Sequence, residues 1–420
     1  MTKAVLFGPG PQFKGGISNY NTSLAKALDK LGVEVHIVSW TQQYPAIIPR
    51  DFIDRSSKSD HLEGTNIKVT YITNYNNPAS WAKTVRLIKD LKPDMVIFQW
   101  AIALQGLPMG WIARRLMKTG IEVIFDCHLV VQKESSTIDK AFTRYGLRKA
   151  HTYLTHAYKT VDELKTTLPE LKYTVNETGE RAKDGTHTVI KLYHPIYDLY
   201  QPRPDFDMEA MKKELNLKKN VFLFFGFIRK YKGLHNAIQA FKKVADKRDD
   251  VSLLIVGESF WNTLDNKKLA TRIKQNLFKF AKSLFLKNSD NEQDYRPIDL
   301  VEQLNLQDKV TVVNRFVPNE EVNKYWQVSD VVLLYYLTAT PSGVESLSYN
   351  FNVPVLATKV GHFPETIKDG YNGYLAEAND IDSMAAQMER FIDNPIPRQN
   401  IAETAKVLSW ENYAKAILNR

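Results

Sequence analysis

The residues best suited to chemistry sit where apolar runs end. In "VFLFFGFIRKYKGLHN", residues 221–236, an apolar run stops at Gly226, and Arg229, Lys230, Lys232 and Gly233 follow before a helical pattern begins. Two fixed cations at such a junction could neutralise a diphosphate leaving group; a solvated turn is the plainer account of an isolated Arg–Lys cluster. A second candidate is "GPGPQFKGGIS", residues 8–18. Gly15 and Gly16 let backbone N–H groups approach a ligand, and the helix that follows favours negative charge at its start. The stretch fits neither the dinucleotide fingerprint nor the Walker A pattern, and tight strand–helix packing explains a Gly-Gly loop equally well. The third candidate is "TATPSGVESLSYNFNVPVLATKVGHFPETI", residues 338–367. There Pro341, Ser342 and Gly343 break the chain just before a helical pattern, so the N–H groups of Ser342, Gly343 and Val344 can face an anion. Glu345 either accepts hydrogen bonds from a vicinal diol such as a ribose or complements the helix dipole as a first-turn acid.

These loops need a framework that presents them together. Short β-rich runs alternate with helical patterns along most of the chain: "AVLFGP", "EVHIVSW", "KVTYIT", "DMVIFQW", "EVIFDCHL", "HTYLTHA" and "TVIKLYHP". Many are too uniformly apolar to be half-exposed, as in a parallel sheet covered on both faces. The helical "GISNYNTSLAKALDKLG" between the first two has Gly32 as its stop. After His194-Pro195 comes "IYDLYQPRPDFD", which reads as a hinge. The alternation then restarts with "VFLFFGFI", "VSLLIVGE", "KVTVVNRFV", "DVVLLYY", "VPVLATKV" and "GYLAE". The expected fold is α/β, with two doubly wound domains covering residues 1–197 and 198–407. Ligands of such sheets bind beyond the carboxyl ends of the strands, where all three candidate loops fall.

Composition bounds the reading. The 420 residues suit more than one core, and 44% hydrophobic with 25% charged residues is ordinary for a globular chain. The net charge of +9 leans towards anionic partners. A single cysteine, Cys127, excludes an internal disulfide and suits a reducing compartment. With no run of apolar residues long enough to span a bilayer and no leader-like start, the chain is expected in the cytoplasm. The basic residues are spread out and the aromatics sit mostly in strands, which argues against nucleic acid as a partner.

The motifs "KGGIS", "CHLVVQKE", "GFIRKYKG" and "SGVESLSYNFNVPVLATKVGHFPETI", in this order, resemble those of the retaining, nucleotide-sugar-dependent GT-B glycosyltransferases of the family-four type. The resemblance runs from "VLFGPGPQFKGGIS" to "LSWENYAKAI" apart from residues 260–296. It implies two facing Rossmann-like domains with the active site in the cleft, and a C-terminal helix, about residues 408–420, returning to the first domain. It implies that Gly15 and Gly16 approach the donor diphosphate, that His128 lies near the donor sugar, that Arg229 and Lys232 bind the diphosphate with Lys230 a solvated bystander, and that Glu345 holds the ribose. Standing alone, a strand-end histidine such as His128 reads as structural. The chain departs from the pattern twice. The first acid of the family's glutamate pair would fall at Leu337 or Thr338, where no acid stands, and the usual Gly-Gly reads Gly361-His362.

The implied activity is sugar transfer from a UDP- or GDP-sugar to a glycan or lipid-linked acceptor in surface polysaccharide or glycoconjugate synthesis, with retention and without a metal or other cofactor. A nucleotide-sugar epimerase and a degenerate binding scaffold are the alternatives. Residues 266–288, "NKKLATRIKQNLFKFAKSLFLKN", place an apolar stripe at helical spacing among lysines. They read as a surface helix packed on the second domain, a protein-binding helix, or one that seats the enzyme on an anionic membrane.

Overall fold

The strand Met95–Trp100 reads MVIFQW and is buried at every position, which requires cover on both faces of its sheet. In the computed structural model that sheet is built from β1 (Lys3–Phe7), β2 (Glu34–Gln42), β3 (Lys68–Asn74), β4 (Met95–Trp100), β5 (Glu122–Cys127), β6 (Thr152–Thr155), β7 (Tyr173–Asn176) and β8 (His187–Lys191). The strands lie in the order β3-β2-β1-β4-β5-β6-β8-β7, and every pairing is parallel. The structure describes residues 1–45, 52–55, 57, 60–131, 137–259, 295–341 and 343–419. Ser342 and the basic stretch 266–288 lie outside the described residues.

A second parallel sheet follows, from β9 (Asn220–Phe225), β10 (Val251–Val256), β11 (Val310–Val313), β12 (Val331–Leu334), β13 (Val355–Thr358) and β14 (Gly373–Ala376). Its order is β11-β10-β9-β12-β13-β14. In both sheets the order reverses beside the first strand, at β1/β4 and at β9/β12. That reversal leaves a crevice at the carboxyl ends, because the connections to either side diverge there. The loops after β1 and β9, which carry Gly15–Gly16 and Arg229–Gly233, therefore sit at the two crevices.

β7 has no counterpart among the apolar runs quoted above. It is a sheet-edge strand whose four residues are all only half-buried, so its sequence lacks the apolar signature.

The first helix, Gly16–Lys30, buries Tyr20, Leu24 and Leu28, spaced one turn apart, and the chain leaves it through Gly32 at φ +79°. The last helix, Trp410–Leu418, packs beside it: the Trp410 and Tyr413 rings lie 4.9 and 6.1 Å from Tyr20. Arg181 ties down the end of that last helix, donating to Ile417 O at 2.8 Å while pairing with Glu122 at 2.7 Å. Gly179 is required there, since a Cβ on it would meet Ala416 O at 1.7 Å.

The connector between the sheets is packed rather than loose. Tyr197 and Tyr200 are buried, Ile196 N donates to Leu408 O, and Tyr200 bridges the units by accepting from Asn19 and donating to Asn319. Among the described residues no helix is long and apolar enough to cross a membrane.

Candidate functional site

A cavity of about 320 Å³ opens between the carboxyl ends of the two sheets. On the first unit's side its wall is the loop that ends in Gly15 and Gly16. Gly15 takes φ +116° and caps the first helix without a side chain, and no acid stands in the first turn. The N–H groups of a fifteen-residue helix thus face the cavity uncompensated, a disposition that favours an anion. Gly16 and Gly343 share a further cause. A Cβ on Gly16 would lie 3.0 Å from the Tyr197 hydroxyl, and one on Gly343 would lie 2.3 Å from the Tyr197 ring.

On the second unit's side, the turn Lys230–Lys232 ends at Gly233 in the left-handed region, φ +67°, where Tyr335 O would stand 1.9 Å from any Cβ. This turn folds Lys232 inward. Its side chain is 7% exposed, lines the cavity, and reaches Phe225 O at 3.4 Å. Gly226 makes room for it: a Cβ there would be 2.8 Å from the ammonium. Burial, reinforced by the positive Arg229, lowers Lys232 to about 7. Among the described residues no carboxylate compensates this cation. Arg229 itself is half-buried and not part of the cavity wall; its guanidinium lies 5.4 Å from the Tyr231 ring. Its charge acts on Lys232, beside the cavity.

Gly343 and Val344 line the cavity at the start of the helix Gly343–Asn350. Glu345, expected at the ribose, is not among the residues that line it. Its side chain turns into the second unit and is 4% exposed. Oε1 accepts from Tyr349 at 3.0 Å and Thr366 at 2.5 Å, and Oε2 is bonded to His362 Nε2 at 2.6 Å. The carboxylate is already occupied by three protein groups. Leu347 lines the cavity in its place, because residues three apart share a helix face with Val344. The His that replaces the second glycine of the usual pair is thus Glu345's partner. Leu337 and Thr338 line neither this cavity nor the smaller one beside it.

His128 follows β5 and stands apart from the main cavity. With Glu163, Thr340, Pro341 and His362 it lines a second cavity of about 10 Å³; Thr340 and Pro341 border both. Its Nε2 is 2.7 Å from Gln99 Oε1, and its ring meets Tyr20 edge-on at 4.6 Å and stacks on His156 at 5.2 Å. Burial lowers His128 to about 4, with Asp126 opposing the shift, so the ring is neutral near pH 7. His156 and His194 follow β6 and β8, so three adjacent strands each place a histidine around Tyr20. Among the described residues Asp126, His128 and His156 offer metal-ligand atoms within 4.8 Å of one another. His156 Nε2 is, however, bonded to Asp126 Oδ1 at 2.8 Å and His128 Nε2 to Gln99, so a ring nitrogen of each histidine is already engaged.

Sequence reasoning passed over several cavity residues. Glu258 and Lys14 line it, as do Tyr197 and Asn319. Glu258 carried a signal: it follows Gly257 at the end of β10, and a Cβ on Gly257 would collide with Gly226 O at 2.0 Å. Tyr197 carried none, since nothing in "IYDLYQP" marks one tyrosine above the other.

Residues 205–408 match the profile of the Glycosyl transferases group 1 family, and residues 14–179 that of Glycosyltransferase Family 4. Among curated proteins the chain is similar to the N-acetyl-alpha-D-glucosaminyl L-malate synthase of Bacillus anthracis, 24% identical over 57% of this chain and 53% of that protein. It is also similar to the 2-deoxystreptamine glucosyltransferase of Streptomyces kanamyceticus, 22% identical over 89% of each. The match spans about half to two thirds of the length of the Bacillus anthracis protein and of the spore coat protein SA of Bacillus subtilis. Among solved structures, sucrose-phosphate synthase from Thermosynechococcus elongatus superposes with a TM-score of 0.62 at 16% identity, over 99% of this chain and 96% of that one. Anabaena HepE in complex with UDP-glucose gives 0.62 at 15% identity, over 99% and 94%. The fold is the two-domain GT-B arrangement that these structures share.

Proposed function

The chain belongs to the group 1 glycosyltransferases, and from that premise we propose that it moves a sugar from a UDP-sugar to a hydroxyl of a glycan or lipid-linked acceptor, with retention at the anomeric carbon. The observation that carries this reading is Lys232, a buried cation without a carboxylate partner among the described residues, facing the Gly15–Gly16 helix start across one cavity. A diphosphate supplies the negative charge that Lys232 and the helix start beyond Gly15 would receive. Complexes of HepE with UDP and UDP-glucose, in the same fold, favour UDP over GDP as the carrier.

In the proposed step the acceptor oxygen approaches the face from which the diphosphate departs. The bond from acceptor oxygen to the anomeric carbon forms as the bond to the diphosphate oxygen breaks. The electron pair stays on that oxygen, which also takes the acceptor's proton. Lys232 and the N–H groups beyond Gly15 stabilise the charge that develops there, an effect worth about 3 kcal/mol per well-placed donor. Lys232 supplies the positive charge, so the step needs no metal. We place the reaction in the cytoplasm, at the inner face of the membrane where the acceptor is lipid-linked, with residues 266–288 as the segment that seats the enzyme there.

Thermal denaturation with UDP, GDP and ADP tests the donor. A ligand at a hundred times its Kd stabilises by about 2.7 kcal/mol, so UDP should raise the midpoint by several degrees. If all three nucleotides leave it unmoved, the donor reading is wrong.

A further inference from the structure

The smaller cavity holds a carboxylate that the step above leaves unused. Glu163 lies on the helix Tyr158–Thr167 and shares that cavity with His128, Lys159, Thr160, Thr340 and His362. Its Oε2 accepts a long hydrogen bond, 3.4 Å, from the N–H of Val131. Burial raises the Glu163 carboxyl above its ordinary range, opposed by the Val131 N–H and by Lys159. The cavity of about 10 Å³ has the room of one water molecule or one hydroxyl group, not of a sugar ring.

Lys159 stands four residues before Glu163, on the same helical face, and is exposed at the cavity rim. An ionised carboxylate accepts and an ammonium donates. Side by side they complement a vicinal diol, in which one hydroxyl donates while its neighbour accepts. The second unit fixes this wall from across the cleft. The helix has no side-chain cap of its own, and Glu365 accepts from the N–H of Tyr158 at 3.0 Å and of Lys159 at 3.5 Å. The pair is therefore positioned when the two units meet, beside the Thr340–Pro341 border that joins the two cavities.

We propose that Glu163 and Lys159 recognise the acceptor: a hydroxyl of a neutral sugar enters the small cavity and donates to Glu163, and the adjacent hydroxyl accepts from Lys159. This rests on the glycosyltransferase reading and adds the acceptor's chemistry to it. The carboxylate that the second unit lacks at Leu337 and Thr338 is not replaced in kind, because Glu163 stands on the acceptor side.

The test is saturation-transfer NMR on the UDP-saturated full chain with glucose, galactose, mannose and N-acetylglucosamine as probes, alongside calorimetric titration of UDP. At least one sugar should receive saturation from the wild type. Its signal should fall at least fivefold in Glu163→Ala and in Lys159→Ala and be partly retained in Glu163→Gln, while UDP affinity stays within twofold. Lys159 is exposed, so its variant folds even where Glu163→Ala does not. Equal signals in wild type and variants overturn the proposal, as does a wild type that binds none of the four sugars. A protein that ignores UDP yet loses sugar binding on Glu163→Ala sinks the donor reading and leaves the pair standing.

Discussion

The phenol of Tyr197 donates to the carbonyl oxygen of Gly16 at 2.7 Å, tying the connector between the units to the wall of the cavity. The same ring fills the space that a side chain on Gly343 would need. One tyrosine thus sets the separation of the two glycine-bearing helix starts. Gly343→Ala puts a methyl 2.3 Å from the Tyr197 ring, so the ring must move or the units must part. Overpacking of this kind costs about 1–3 kcal/mol. Denaturant titration should show that loss, and UDP affinity should fall with it; Tyr197→Phe, which keeps the ring and gives up one hydrogen bond, should cost about 1 kcal/mol.

Lys232 offers a pH test with a definite sign. Its folded value, about 7, lies below its unfolded value of 10.5. Between those values the unfolded chain holds a proton that the folded one has released, so stability contributed by this group rises with pH above about 7, by up to ~1.4 kcal/mol per unit. Lys232→Met should remove that slope, and the difference between the two unfolding curves from pH 7.5 to 9.5 measures it. UDP binding runs the opposite way, because the diphosphate favours the ammonium. Affinity should drop as pH rises through 7 in the wild type and stay flatter in the variant, whose transfer rate should be lower by ~10²–10³.

Glu345 separates stability from ligand binding. Removing its carboxylate strands Tyr349, Thr366 and His362 in a buried site. Glu345→Ala should cost about 2–4 kcal/mol, since buried groups lose their partners and cannot reach water. Folded variant should still bind UDP within about threefold of the wild type by calorimetry, an order-of-magnitude allowance for indirect loosening. A loss of UDP affinity beyond tenfold with stability unchanged would return Glu345 to the ribose.

What could be read in the sequence, and what could not, follows from the same two features. Lys232 was legible because it sits between a fully apolar strand and a glycine, a place that a parallel sheet turns into a crevice. The strand–helix alternation of both units was legible, since the central strands are buried on two faces, whereas the half-buried edge strand β7 was not. The partners that hold Glu345 were not legible, because one step along a helix rotates a side chain by about 100°. Motif order places the turn; it does not say whether Val344, Glu345 or Leu347 faces the ligand. Burial partners decide that, and Glu345's partners, Thr366 and His362, lie some twenty residues on. Glu163 and Tyr197 were invisible for a related reason: each acquires its place from contacts with a distant segment, Val131 for one and Gly343 for the other.

His128 makes the last prediction. Held at about 4 by burial, it is neutral across the physiological range. Its unfolded value is 6.5, so between the two the unfolded chain binds the extra proton, and this group's share of stability falls as pH drops from 6.5 towards 4. His128→Asn should flatten that part of the stability profile. A neutral ring also predicts that the transfer rate shows no His128 limb between pH 6 and 8, limits chosen roughly one unit either side of neutrality. The Gln99 contact at 2.7 Å fixes the ring's Nε2, so Gln99→Ala should lower transfer less than His128→Ala while leaving UDP affinity alone. Rate–pH profiles of wild type and His128→Asn, measured with UDP-glucose, check both statements. A limb near pH 6.5 that the substitution abolishes would mean that the ring gains a proton during the reaction and acts in the step rather than as a neutral support.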